Sequence, residues 1–161
     1  GIGGVNDNAN TTTERVRINS TGVGIGTSSP GYALDVNGTA NISAAIRLGQ
    51  AIVETYANPT ISANTLTIDL TTATVFNVNV TASFTNFAVT NYTASKAQAF
   101  TLFLTGNGTG YTQTWSNTTT VKWAGGTAPT LTTTSGKMDV ITFVTPNGGT
   151  SWLGFVGGQN F

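Results

Sequence analysis

The stretch VFNVNV, residues 75–80, places Phe76, Val78 and Val80 on one face of an extended chain and Asn77 and Asn79 on the other. Successive side chains alternate across a strand, so this beat of two, built on β-branched and aromatic residues, reads as a half-buried strand. The same beat recurs on either side. LTIDL sets Leu66, Ile68 and Leu70 on one face, and FTLFLT does the same with Phe100, Leu102 and Leu104. MDVITFVT, residues 138–145, is apolar on both faces and reads as a central strand covered on both sides, and SWLGFVG, 151–157, reads alike. Turn signals separate the strands: Asn58-Pro59, Asn107-Gly108, Gly125-Gly126, Ser135-Gly136 and Pro146-Asn147-Gly148-Gly149. Strands punctuated every ~8–12 residues point to an all-β sandwich or jelly-roll-like barrel over residues 51–161. Its expected core is Leu66, Ile68, Phe76, Val78, Phe100, Leu102, Val140, Phe143 and Phe155.

Residues 1–50 are of another kind. All eight Phe and all three Trp lie beyond them, so they hold no Phe or Trp to anchor a core. ERVRINSTGVGIGT alternates Val16 with Ile18 and Val23 with Ile25, and the Gly- and Ser-containing run GVGIGTSSPGYALDVNGTA, residues 22–40, connects this striped arm to the body. NISAAIRLGQAIVETYA, residues 41–57, carries two periods at once. Ile42, Ala45, Ile46 and Gly49 fit a helix, whereas Ile42, Ala44, Ile46 and Leu48 fit a strand; the strand, or at most one short helical turn, is favoured. The expected organisation is an extended N-terminal β arm and connector used in assembly, 1–50, followed by the body, 51–161.

Composition restricts the partners. Charged residues make up 7% of the 161 and net charge is zero, against about 25% charged in an ordinary soluble domain. Thr is about a fifth of the chain and, with Asn, Ser and Gly, supplies the polarity. Without a basic patch there is nothing to replace counterions on nucleic acid, and anionic membrane surfaces are disfavoured for the same reason. No apolar run approaches the ~20 residues of a membrane span, so no membrane insertion is expected. Near-zero net charge removes one barrier to self-association.

Catalytic and metal chemistry is thinly provided. There is no Cys and no His, which removes disulfides, thiolate sites and the commonest general base and metal ligand. The six acids, Asp7, Glu14, Asp35, Glu54, Asp69 and Asp139, are scattered and form no paired motif; a glycosidase needs two carboxyls within ~5–10 Å. GVGIGT lacks the Lys of a phosphate loop, and glycines that allow close strand packing explain it better. No enzyme activity, cofactor or metal site is expected.

Two further sets of residues are candidates for binding or modification. Tyr111, Trp115, Trp123 and Trp152 offer aromatic faces for stacking on sugars, although core packing is the more common fate of Trp in a small β domain. Sequons begin at Asn10, Asn19, Asn37, Asn41, Asn79, Asn91, Asn107 and Asn117. Abundant Asn beside abundant Ser and Thr accounts for many of these by chance, and Asn107, in GNGTG, is the one placed most plainly on an exposed loop.

The segment ERVRINSTGVGIGTSSPGYALDVNGTA, residues 14–40, resembles a segment common in phage tail-fibre and related virion appendage proteins: an Arg-bearing strand, V-G-I-G-T, Ser-Pro, then L-D-V-N-G. Residues 121–161, VKWAGGTAPTLTTTSGKMDVITFVTPNGGTSWLGFVGGQNF, are similar to the terminal domain of tail-fibre-like proteins. The resemblance implies a β-structured fibre protein, extracellular or on the virion surface, commonly a homo-oligomer. Families with the first motif often continue into a self-cleaving chaperone with catalytic Ser and Lys; the sequence ends at Phe161, and that activity is not carried over.

Two functions follow as expectations. The first is a structural subunit that assembles with copies of itself, into a closed oligomer or a helical filament, by adding the strand of its arm to a neighbour. Burying Val16, Ile18, Val23 and Ile25 is worth on the order of 6–12 kcal/mol gross, against association costs of roughly 4–15 kcal/mol, so the body must add contacts. The second is a trimeric tip domain whose loops, such as 105–111 and 124–129, recognise cell-surface glycans.

Overall fold

The computed structural model describes residues 15–115 and 118–161. The chain divides into two compact units, 1–51 and 52–161. In the first, β1 (Val16–Ile18), β2 (Val23–Ile25) and β3 (Leu34–Val36) form one small sheet in that order. β1 pairs antiparallel with β2, and β2 runs parallel to β3. The β1–β2 turn is closed by the Asn19 side chain, whose Oδ1 accepts from the backbone N–H of Thr21 and of Gly22. No regular element follows until Tyr56, so the strand or helical turn expected within 41–57 is not formed ahead of it. The alternating residues there pair with no strand among the described residues, and period without a partner ladder does not make a strand.

The second unit is all-β. Its strands are β4 (Tyr56–Ala57), β5 (Ile61–Ser62), β6 (Thr65–Asp69), β7 (Val75–Val80), β8 (Asn86–Thr90), β9 (Gln98–Gly106), β10 (Val121–Trp123), β11 (Met138–Thr145) and β12 (Trp152–Gly158). They make a six-stranded sheet, β10-β12-β11-β9-β7-β4, and a three-stranded sheet, β5-β6-β8. The two sheets close on one core, as in a sandwich. The connectivity is a parallel wind rather than a run of hairpins. The chain steps from one sheet to the other and back, so that β4, β7 and β9 stack in parallel in the larger sheet while β6 and β8 stack in parallel in the smaller. Paired positions such as Thr65 and Asn86 lie roughly 20 residues apart, the length of a short solenoid repeat. The wind gives way to an antiparallel run, β9-β11-β12, with β10 added in parallel at the far edge.

The turn between β5 and β6 is a two-residue hairpin with positive φ at both Ala63 (46°) and Asn64 (59°), the backbone that favours right-twisted hairpins. Ala is a poor residue for that conformation. The Asn64 carbonyl compensates by accepting from the N–H groups of Thr85 and Asn86 at the entry to β8, which ties one coil of the wind to the next.

The core is aromatic. The Phe143 ring stacks on Phe100 at 5.0 Å between centroids and lies 5.3 Å from Phe87, joining the two sheets, while Phe100 meets Trp152 edge-on at 5.0 Å. Leu66, Ile68, Phe76, Val78, Leu102 and Ile141 complete it. Two expected core residues lie elsewhere. Val140 and Phe155 sit on the outer face of the six-stranded sheet, and Phe155 is 50% exposed. On β11 the inward register is Asp139, Ile141, Phe143 and Thr145, so Val140 must point out, and Thr142↔Phe155 is an outward pair. The apolar two-faced pattern of β11 reflects its place inside the sheet, with its outer side chains half-buried by neighbours rather than by a second layer.

A buried carboxylate closes the C-terminal end. Asp139 is fully enclosed; its Oδ2 accepts from the Thr132 N–H at 2.6 Å and from Gln159 Nε2 at 3.0 Å, and its Oδ1 from the Asn160 N–H at 3.0 Å. Enclosure raises its pKa, and these hydrogen bonds lower it by more, so it rests below the ordinary aspartate value.

Candidate functional site

The self-assembly residues expected from the sequence occupy the first unit's small sheet. Among its described residues only Gly24 and Pro30 are buried. Both glycines of V-G-I-G-T are used for close approach. A Cβ on Gly24 would lie 2.6 Å from the Thr27 carbonyl oxygen, and one on Gly26, at φ +70°, would lie 2.7 Å from that of Asn37. No helix follows them. Val16, Ile18 and Ile25 remain exposed, at 45%, 57% and 43%, and Val23 is half-buried. Among the described residues the sheet therefore has folded strands and no apolar interior. The structure also changes what this arm has to donate: Val23 and Ile25 lie on the middle strand, paired with β1 on one side and β3 on the other, so their own strand has no edge left to give to a neighbour. Residues 1–14 of the arm, including Asp7, Asn10 and Glu14, lie outside the described residues.

Exposure continues past this sheet. Every residue from Asn37 to Tyr56 is exposed, including Ile42, Ile46, Leu48, Ile52 and Val53.

The aromatic residues put forward for sugar stacking are not an exposed platform. Trp152 is fully buried and Trp115 nearly so. Trp115 is wedged edge-on against Phe84 and Phe87 at 5.3 and 5.4 Å. Trp123 lies against Trp115 and Phe143 and crosses Gly154, where a Cβ would collide with its ring. Tyr111 is partly buried against the same cluster. A Trp in a small β domain gains most by burial, and these three serve the core.

An aromatic groove exists elsewhere, on the outer face of the six-stranded sheet at its β4 edge. It holds about 280 Å³ and is lined by Glu54, Tyr56, Val75, Asn77, Phe103 and Met138. Tyr56 is 62% exposed. Asn77 Nδ2 donates to Asn58 Oδ1 at 3.3 Å, and Glu54 accepts from the Thr74 hydroxyl. An aromatic floor rimmed by an amide and a carboxylate suits a neutral, hydroxyl-rich ligand. Tyr56 and Phe103 are far apart in sequence, and only the β4-β7-β9 stacking brings them together, so spacing alone gave no signal for this groove.

The described acids are held apart in structural roles. Asp35 accepts from the Gly31 N–H, and Asp69 accepts from Thr71 and Asn91 in a turn after β6, which lowers its pKa, the Asn91 bond most. Among the described residues no three acids gather into a metal-binding group, and no helix is long and apolar enough to cross a membrane. Asn19, Asn37, Asn41, Asn79, Asn91 and Asn107 are all exposed, and Asn107 sits in its loop with Oδ1 accepting from the Thr109 N–H. Asn10 and Asn117 lie outside the described residues. Comparison of the chain with protein-family models, curated proteins and solved structures finds no match to any of them.

Proposed function

We propose that this chain is a non-enzymatic structural subunit of an extracellular or virion-associated fibre, assembling with copies of itself. One observation carries the reading: residues 15–51 form an ordered small sheet and a long exposed segment with no apolar interior, while displaying Val16, Ile18, Ile25, Leu34, Ile42, Ile46 and Leu48 to solvent. Strands of three residues without a buried face are marginal in water, and a selected sequence gains from such a display only when a partner covers it. The near absence of charge favours another copy as that partner, because like chains then approach without repulsion. Sedimentation of the purified chain over a range of concentrations, with negative-stain imaging, tests this. Assembly into a defined oligomer or filament is expected, and a monomer at every concentration overturns it.

The groove at Tyr56, Asn77 and Phe103 favours a second reading, a carbohydrate-recognising tip domain of a fibre. Glycan binding that is lost in Tyr56→Ala and Asn77→Ala, without loss of fold, would support it. The sequons at exposed asparagines make glycosylation a further proposal for this surface, checked by intact mass of the protein from its producer.

A further inference from the structure

Among the described residues the parallel wind is closed at only one of its two ends. At the β8 end of the three-stranded sheet, the outer edge is covered by Thr112, Thr114 and Thr119. The Phe84 N–H donates to the Thr112 carbonyl, the Thr114 N–H to that of Phe84, the Thr119 N–H to that of Phe87, and the Val89 N–H to Thr119 Oγ1 at 2.8 Å. At the other end the cover is slight. β4 pairs with β7 only at Val75 and Phe76, and β5 pairs with β6 only at Thr65 and Leu66. Beyond these, Val78–Val80 of β7 meets no further strand among the described residues, and Asn77 meets the side chain of Asn58. Open edges in natural sheets are blunted by charge, Pro or brevity. The far edge of the larger sheet follows that rule, since β10 has three residues and carries Lys122. The uncovered part of β7, Asn77–Val80, has neither charge nor Pro.

A segment that fits this edge is also in view. Residues 42–48, NISAAIRL without its leading Asn, alternate Ile42, Ala44, Ile46 and Leu48 with Ser43, Ala45 and Arg47. They pair with nothing in the described structure and are exposed throughout; Ile42, Ile46 and Leu48 are 54%, 61% and 60% exposed. Laid beside β7, their apolar stripe falls on the side of Val78 and Val80, which face the core, and Ser43 and Ala45 fall on the side of Asn77 and Asn79. We infer that the open β7 edge at Asn77–Val80 accepts residues 42–48 of a second copy of this chain as an added strand.

The inference rests on the self-assembly reading above and gives it an acceptor and a donor. These are different surfaces of one chain, so the contact is heterologous, and every copy both gives and receives. Repetition then closes a ring or extends a filament. One strand buries less than the ~800 Å² per partner of a standard interface, and giving and receiving together double what each copy buries.

The chain has no Cys, so engineered cysteines report without background. Full-length Asn79→Cys is mixed with full-length Ser43→Cys or Ala45→Cys and oxidised, and Ile46→Asp is followed by sedimentation. A disulfide between the two different chains is expected, together with at least a tenfold weaker association of Ile46→Asp at unchanged Trp emission from the core. If the wild-type chain is monomeric, this inference and the self-assembly reading fall together. If it assembles but no mixed disulfide forms, or Ile46→Asp assembles as wild type does, only the added strand is overturned. A disulfide that forms within single chains carrying both cysteines, and not between chains, shows the edge covered by its own chain and also overturns it.

Discussion

Replacing Asp139 by Asn tests how the C-terminal end of the body is held. The carboxylate is fully enclosed and receives three donors: the Thr132 and Asn160 backbone N–H groups and Gln159 Nε2. Asn offers one oxygen and one NH₂ in the same volume. If its oxygen takes the place of Oδ2, the NH₂ faces the Asn160 N–H; if it takes that of Oδ1, the NH₂ faces the Thr132 N–H and Gln159. Either way a buried backbone donor loses its acceptor. A hydrogen bond to a charged group contributes about 1.5–3 kcal/mol, and a buried donor left unsatisfied costs a similar amount. The expected loss is therefore about 3 kcal/mol, a large part of the 5–15 kcal/mol typical of a domain. Urea unfolding followed by Trp emission measures it. The pH dependence supplies a second check. Because the folded pKa lies below the ordinary 3.8, the wild-type advantage is fully present above that value and is lost as pH falls through the folded pKa. The gap between wild type and Asp139→Asn should thus be widest near neutrality and narrow in acid. A difference under about 0.5 kcal/mol at neutral pH, smaller than one ordinary hydrogen bond, would refute the reasoning.

Other perturbations separate core from surface. Gly154→Ala should displace the Trp123 ring and cost about 1–3 kcal/mol, as overpacking does, with a changed near-ultraviolet circular dichroism spectrum. Trp152→Ala should cost about 3–5 kcal/mol in urea unfolding, as expected for emptying a core site, and loss of a sugar-binding signal without loss of stability would contradict its buried position. Phe155→Thr, on the exposed outer face, should change stability by no more than about 0.5 kcal/mol in the same assay. Tyr56→Ala should leave the unfolding midpoint nearly unchanged while abolishing any glycan binding by the groove, and retained binding would remove the groove from consideration.

The strands themselves were legible because alternation is a local property. VFNVNV and FTLFLT each state which side chains face inward, and Phe76, Val78, Phe100 and Leu102 are buried as that beat requires. The all-β class followed from the repetition of such stretches and the near absence of helical period. Val140 and Phe155 were beyond the same logic. On a strand apolar on both faces, period two offers two equivalent inward sets, and only pairing with β9 and β12 selects Ile141 and Phe143 over Val140.

Connectivity was likewise a tertiary decision. Turn residues mark where a strand ends but not which sheet the chain enters next, so hairpins and a parallel wind share one turn pattern; here the Asn64 carbonyl, reaching the N–H groups of Thr85 and Asn86, ties successive coils. The groove of Tyr56 and Phe103 depends on that stacking and has no trace in residue spacing. Residues 42–48 show the converse. Their sequence carries a strand's alternation, yet a strand exists only where a neighbour completes its hydrogen bonds and covers its apolar face. The sequence by itself determined that these residues have a strand-forming face; the tertiary structure decided that they form no ladder among the described residues, because period two supplies an apolar face but not the neighbouring strand that completes its hydrogen bonds.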